Sequence, residues 1–157
     1  MFSADSWEAR LRPTKSSPRT PVAWFRTLYG QKVVLRQGQV VLPGKLGKSA
    51  SGWGWAKIQV KHPGVTLSMI DYALQTPYAY TQDNGRVIYG ALAERVLYRA
   101  DQRVGALESV LFMVVVEPNA VISYGNPPVK VNGQVGVLTA YCEGYLACPD
   151  WVDAALR

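Results

Sequence analysis

Histidine occurs once in this chain, at position 62, and cysteine only twice, as Cys142 and Cys148. Closed structural zinc sites need four Cys or His ligands, so no metal centre of that kind is expected. No serine or cysteine stands in a G-x-S-x-G context, which removes the nucleophile elbow of α/β-hydrolases. The stretch GKLGKSASG has the lysines and glycines of a phosphate loop without its spacing, so neither an NTPase nor a dinucleotide cofactor is indicated. Asp71, Asp83, Glu94 and Asp101 are scattered and do not form the carboxylate cluster of metal-dependent nucleases. The longest apolar run, Val110 to Val116, falls far short of the roughly 20 residues of a membrane-spanning helix. The first residues, MFSADSWEARLRPTKSSPRTP, lack the apolar core of a signal peptide. What remains is chemistry without metal or cofactor.

Acids are also unevenly placed. From Met1 to Lys61 there are eleven Lys/Arg and two acids; from His62 onward there are six Lys/Arg and nine acids. A basic first part and an acidic remainder are expected of a chain that offers one face to a polyanion. Hydrophobic residues make up 48% of the chain and charged residues 18%, the composition of a single globular domain.

Residues 1–50 read as a basic lead-in. Pro13, Pro18 and Pro21 interrupt any continuous helix there, though Trp7–Leu11 has the pattern of a short amphipathic piece. The runs Val33–Leu35 and Val40–Leu42, either side of Gln37–Gly38, predict a hairpin over 31–42. Gly44–Gly52 reads as a flexible connector.

Residues 51–157 read as an α+β domain. GWGWAKIQVKH predicts a first helix that sets Lys57 and Lys61 on one face and ends at His62, before Pro63–Gly64. Thr66 is placed to cap a second helix in which Leu67, Ile70 and Leu74 make an apolar stripe. RVIYGAL, RVLYRAD and ESVLFMVVVEP then predict strands, the last being central and covered on both faces. NAVISYGNPPVKVNG extends the sheet or forms a rim hairpin, QVGVLTAYC closes it, and a short helix starts near Asp150. The expected architecture is two helices packed on an antiparallel sheet of four or more strands.

Lys57, Lys61 and His62 bring cationic groups and an imidazole together within six residues. RNA carries its own nucleophile, the 2′-hydroxyl, so cleaving it asks a protein only to move protons and to stabilise a pentacoordinate phosphorane. An imidazole with a reference pKa near ~6.5 moves protons at neutral pH. Neighbouring lysines hold the phosphate and favour the neutral, basic form of the ring. The bland reading of His62 is a helix C-cap that interacts with the helix dipole.

The order GWGWAKIQVKHPGVTLSMIDYALQTPYAY, GRVIYGAL, VLFMVVVEP, GVLTAYC resembles the C-terminal toxin domains of bacterial polymorphic and contact-dependent secretion systems. More specifically it is similar to the barnase–EndoU–colicin–RelE group of metal-independent ribonucleases, over about Gly52 to Cys142. The resemblance implies that Lys61–His62 is the basic catalytic pair and that Thr139 and Tyr141 form the hydroxyl-bearing end of the last strand. It also implies RNA cleavage to a 2′,3′-cyclic phosphate, no cofactor, and an acidic immunity protein as partner. The free domain would be a monomer, delivered as an effector into the cytoplasm of a target cell. Many relatives use a second histidine or another clear general acid, and this chain has neither, so a lysine, Tyr141 or Thr139 would share the proton transfers.

Arg86 is a further candidate for the phosphate, and Trp53 and Trp55 are candidates to stack on bases. Their ordinary roles would be a turn-flanking surface arginine and core or anchor tryptophans. Tyr78 and Tyr80 are placed to line a groove. Cys142 and Cys148 would pair in an oxidising compartment and stay reduced in the cytosol. Two rival functions stand beside cleavage: a non-catalytic nucleic-acid-binding domain, and an assembly or interaction domain that uses the 31–42 hairpin for strand addition.

Overall fold

A computed structural model describes residues 17–41, 51–99 and 102–157. The lead-in to residue 16, with its Trp7–Leu11 piece, and residues 44–50 of the expected connector lie outside the described residues. The elements are β1 (Pro21–Arg26), β2 (Lys32–Arg36), β3 (Gln39–Val41), β4 (Ser51–Trp53), α1 (Gly54–Lys61), α2 (Leu67–Leu74), β5 (Ala79–Thr81), β6 (Val87–Arg99), β7 (Gln102–Tyr124), β8 (Val129–Cys142) and α3 (Trp151–Ala155). The architecture is α+β, centred on a four-stranded antiparallel sheet of order β5-β6-β7-β8.

The alternation of β6 and β7 sorts side chains to two unlike faces. On one face Ala91, Ala93, Phe112, Val114 and Val116 are buried beneath Ile58, Met69, Ile70 and Leu74, forming the main core. On the other, Trp53, Val131, Val135 and Leu138 form a smaller cluster against Val115 and Val121. That cluster covers only part of the second face, where Leu111 and Met113 are half-buried. The central strand is therefore in the expected place but is not sealed on both sides.

Several sequence expectations need correction. The runs 33–35 and 40–41 do not form a hairpin with each other: β2 pairs with β1, and β3 pairs with β4. The hairpin that precedes the helices is β1–β2. Gln37 and Gly38 do not turn the chain back, because their N–H groups donate to the carbonyls of Thr20 and Pro18 at 2.8 Å each. Ser51 and Gly52, assigned to the connector, are strand β4. The two expected strands RVIYGAL and RVLYRAD are one strand over the described residues, β6 (Val87–Arg99), since the alternation continues through Glu94 and Arg95. Likewise β7 runs on past Pro118, which the pairing with β8 accommodates at an irregularity between Glu117 and Ala120.

The second helix begins as its sequence requires. Thr66 Oγ1 accepts from the Met69 N–H at 3.2 Å and donates to Asp153 Oδ1 at 2.8 Å, so one hydroxyl caps α2 and ties it to α3. Its buried stripe is Met69, Ile70, Ala73 and Leu74, whereas Leu67 is exposed. The β1–β2 hairpin packs on β8 at Gly136, where φ is +82° and a Cβ would overlap the Val34 carbonyl. Arg36, one of the basic residues of the first part, is buried here. It donates to the Gln134 carbonyl at 2.9 Å and the Arg19 carbonyl at 2.6 Å, which makes it structural.

Candidate active site

Helix α1 lies against β8, which has β7 on one side and is the edge strand of the sheet. Ile58 enters the main core and Trp55 packs against it, fixing the helix. No side chain caps the N-terminus of α1; the Gln37 carbonyl instead accepts from the Ala56 N–H at 2.8 Å. The helix ends at His62, whose N–H reaches the Ile58 carbonyl at 2.8 Å. Pro63 and Gly64 carry the chain away. Gly64 has φ of +90°, and a Cβ there would meet the Cys148 carbonyl at 2.8 Å.

This placement brings the two halves of the expected site together. Lys57 Nζ donates to Thr139 Oγ1 at 2.7 Å, across 82 positions of sequence. The His62 and Tyr141 rings stand 5.3 Å apart at 33°. Thr139 and Tyr141 are the register partners of Val115 and Met113, on the incompletely covered face. Lys57 thus meets Thr139 and His62 meets Tyr141, while Lys61 is near enough for its charge to act on both Lys57 and His62.

The electrostatics of this cluster depart from solution values. Burial first, then the charges of Lys57 and Lys61, push His62 down to about 4. His62 Nδ1 is buried without a hydrogen-bond partner, so an imidazolium would hold an N–H there with no acceptor. Burial, then Lys61, lowers Lys57 to about 8. Burial raises Tyr141, with further contributions from Glu143 and Tyr80. At neutral pH the cluster therefore presents a neutral imidazole, an easily deprotonated ammonium and an un-ionised phenol.

The expected base-contacting residues divide. Trp53 is 3% exposed; its Nε1 donates to Gln39 Oε1 at 3.0 Å and its ring meets Tyr124 edge-on at 5.4 Å. A ring so enclosed cannot stack on a base, so Trp53 is an anchor, and Trp55 faces the main core. Arg86 is half-buried and donates to Tyr124 Oη at 3.2 Å, away from Lys57 and His62 in the contacts it makes. Tyr78 and Tyr80, by contrast, are 74% and 57% exposed.

Glu117 was not singled out by its sequence context. Its Oε2 is buried without a hydrogen-bond partner, two residues along β7 from Val115, the register partner of Thr139. The one signal was its position as the acid that ends the Val114–Val116 run.

Behind the cluster, Cys142 and Cys148 form a disulfide. Cys142 directly follows Tyr141, and the Cys148 N–H donates to the Pro63 carbonyl at 2.9 Å, next to His62. The bridge therefore links the Tyr141 end of β8 to the His62 turn.

Among the described residues, no three His, Cys, Asp or Glu side chains converge to hold a metal, and no helix is long and apolar enough to cross a membrane. No protein-family model matches this chain, and neither a curated protein nor a solved structure matches it.

Proposed function

We propose that this protein is a toxin-type endoribonuclease that works without metal, with Lys57, Lys61, His62, Thr139 and Tyr141 as its active site. The observation that carries the reading is the Lys57–Thr139 hydrogen bond, with His62 against Tyr141 beside it. It joins a basic helix end to the hydroxyl-bearing strand end on an open sheet face. A purely structural histidine at a helix terminus would not need two lysines facing it, since they oppose its protonation.

In the proposed reaction the RNA 2′-oxygen attacks phosphorus while its proton passes to neutral His62. The P–O5′ bond breaks as the Lys57 ammonium protonates the leaving 5′-oxygen. Lys57 and Lys61 stabilise the charge that accumulates on the phosphorane. Thr139, accepting from Lys57, fixes the direction of the ammonium. Tyr141 holds the imidazole plane. The products are a 2′,3′-cyclic phosphate and a 5′-hydroxyl, with no change of oxidation state. Solvent exchange restores both protonation states. Such an activity fits an effector delivered into the cytoplasm of a target cell, and an acidic immunity protein would cover the cationic cluster in the cell that makes it.

The test is digestion of total tRNA and rRNA in EDTA, wild type beside His62→Ala, with end-group analysis of the fragments. Cleavage by the wild type alone, leaving cyclic phosphates, is expected. Equal survival of RNA in both, or a requirement for Mg²⁺, overturns the reading. Salt-sensitive RNA binding that is indifferent to His62→Ala and unaccompanied by cleavage would select the non-catalytic alternative.

A further inference from the structure

The second face of the sheet is plugged at one end and open at the other. Around Val115 it is covered by Trp53, Val131, Val135 and Leu138. Beside Met113 it opens into a cleft of about 580 Å³. The floor is Ile88, Gly90, Leu111 and Met113; Tyr78 and Tyr80 form the wall. Both rings are largely exposed, and exposed aromatics over an apolar floor are the composition of a ligand site rather than of ordinary surface.

Register places this cleft next to the catalytic cluster. One row across the sheet runs from Tyr80 through Ile88 and Val115 to Thr139, which holds Lys57. The adjacent row runs from Gly90 through Met113 to Tyr141, which faces His62. Directly paired residues share a face. Gly90 and Tyr141 are two strand spacings apart, about 9.5 Å. That span is of the order of one nucleotide, so a base over Gly90 leaves its phosphate at the Tyr141 and His62 end of the row, with Lys57 held in the neighbouring row. Tyr80 also contributes to raising Tyr141, which lies on the same sheet face.

We propose that this cleft is a nucleobase subsite: a base flanking the scissile phosphate lies on the Gly90–Met113 floor and stacks on Tyr80. The proposal rests on the ribonuclease reading for the identity of its neighbour, the phosphate. RNA is the occupant because the apolar slot shares its sheet face with a cationic cluster one strand away, which matches the amphiphilic division of a nucleotide. Of the cleft's side chains only the two phenols carry polar groups, so the slot measures ring size and does not read base edges. It takes the larger purine surface in preference to the pyrimidine. Gly90 is what leaves room for a base. Its backbone is not in the positive-φ region, and a Cβ would meet only Leu111 Cδ1, at 3.6 Å. A larger side chain would therefore fill the slot without straining the strand.

The experiment is a calorimetric or NMR titration with adenosine 5′-monophosphate and with ribose 5-phosphate, which differ at C1′, where one carries the base and the other a hydroxyl. The wild type should bind the nucleotide about 5- to 150-fold more tightly, the range for one stacked base. Gly90→Val and Tyr80→Ala should each reduce that advantage while leaving ribose phosphate affinity unchanged. Tyr80→Ala alters an exposed side chain, so it tests the slot even if Gly90→Val fails to fold. Equal affinity for the two ligands in the wild type overturns the subsite, as does an advantage that survives both variants. Concentration-dependent self-association that shields Tyr78 and Tyr80 would assign the face to a second copy and also overturn it. Cleavage is measured separately. RNA left intact with the base advantage present defeats only the ribonuclease reading; RNA cut with no base advantage defeats only the subsite.

Discussion

Helices α1 and α2 are each eight residues long, separated only by residues 62–66, yet they are built to opposite specifications. Helix α2 has a side-chain cap at Thr66 and buries Met69, Ile70, Ala73 and Leu74. Helix α1 has no side-chain cap and buries a lysine. Burying Lys57 disfavours its charge, and placing it with Lys61 beside His62 depresses the imidazole. Nothing in packing asks for that arrangement. The contrast is that α2 is built for stability, while α1 carries the cost of a buried lysine and holds Lys57 and His62 against β8.

Substitution at the two helices should therefore fail in different ways. The largest effect expected is on cleavage, where His62→Ala lowers kcat/KM by about 10²- to 10⁴-fold, the usual worth of a proton-transfer group. Lys57→Met should lose activity similarly yet leave Tm unchanged or raised, because it removes a buried charge. A large fall in Tm would make Lys57 a structural residue and erase the contrast. In α2, Ile70→Ala should cost about 2–5 kcal/mol in denaturant unfolding while the folded fraction retains its turnover.

Next in size is the disulfide. Bridging a loop of six-residue separation stabilises by about 2 kcal/mol in the chain-entropy treatment. Cys148→Ser should lose that much and should also weaken the hold on the His62 turn, lowering kcat more than KM. An unchanged kcat would mean that the Cys148–Pro63 hydrogen bond positions His62 unaided.

The pH dependence separates the helices again. With neutral His62 as base and the Lys57 ammonium as acid, kcat/KM should rise through about 4 and fall through about 8. Stability carries its own sign. The folded pKa of His62 lies below its ordinary value of 6.5, so the unfolded chain takes up the proton first. Wild type should lose stability relative to His62→Asn as pH falls from about 6.5 to about 4. Parallel acid titrations would contradict this. The smallest effect belongs to the cap: Thr66→Ala should cost about 1 kcal/mol and leave the pH profile of cleavage in place.

How far the sequence revealed these features depended on whether the signal was local. Thr66 and the Ile70–Leu74 pair declare α2 within a dozen residues, and Pro63–Gly64 declares the end of α1. The β7 core is equally plain in Val110–Val116. Of the cluster, Lys57, Lys61 and His62 lie together in the sequence, whereas Thr139 and Tyr141 were pointed to only by the family resemblance. Partner choice was not legible. The valine runs at 33–35 and 40–41 look like mates, but the donors of Gln37 and Gly38 are taken by residues 18–20, and each run pairs elsewhere. Nor does a sequence show which way a tryptophan faces. Trp53 follows two small residues beside a basic helix, and only Gln39 and Tyr124, distant in sequence, reveal that it points inward.

The Lys57–Thr139 bond spans 82 positions, and that interval is also a span of time during synthesis. The ribosome makes Lys57 and His62 long before Thr139 and Tyr141, and β8 is the last strand of the sheet. Until it docks, Lys57 has no hydroxyl partner and His62 has no Tyr141 beside it. An unfinished chain therefore lacks the Lys57–Thr139 pair, and the cluster is complete only once β8 has joined the sheet.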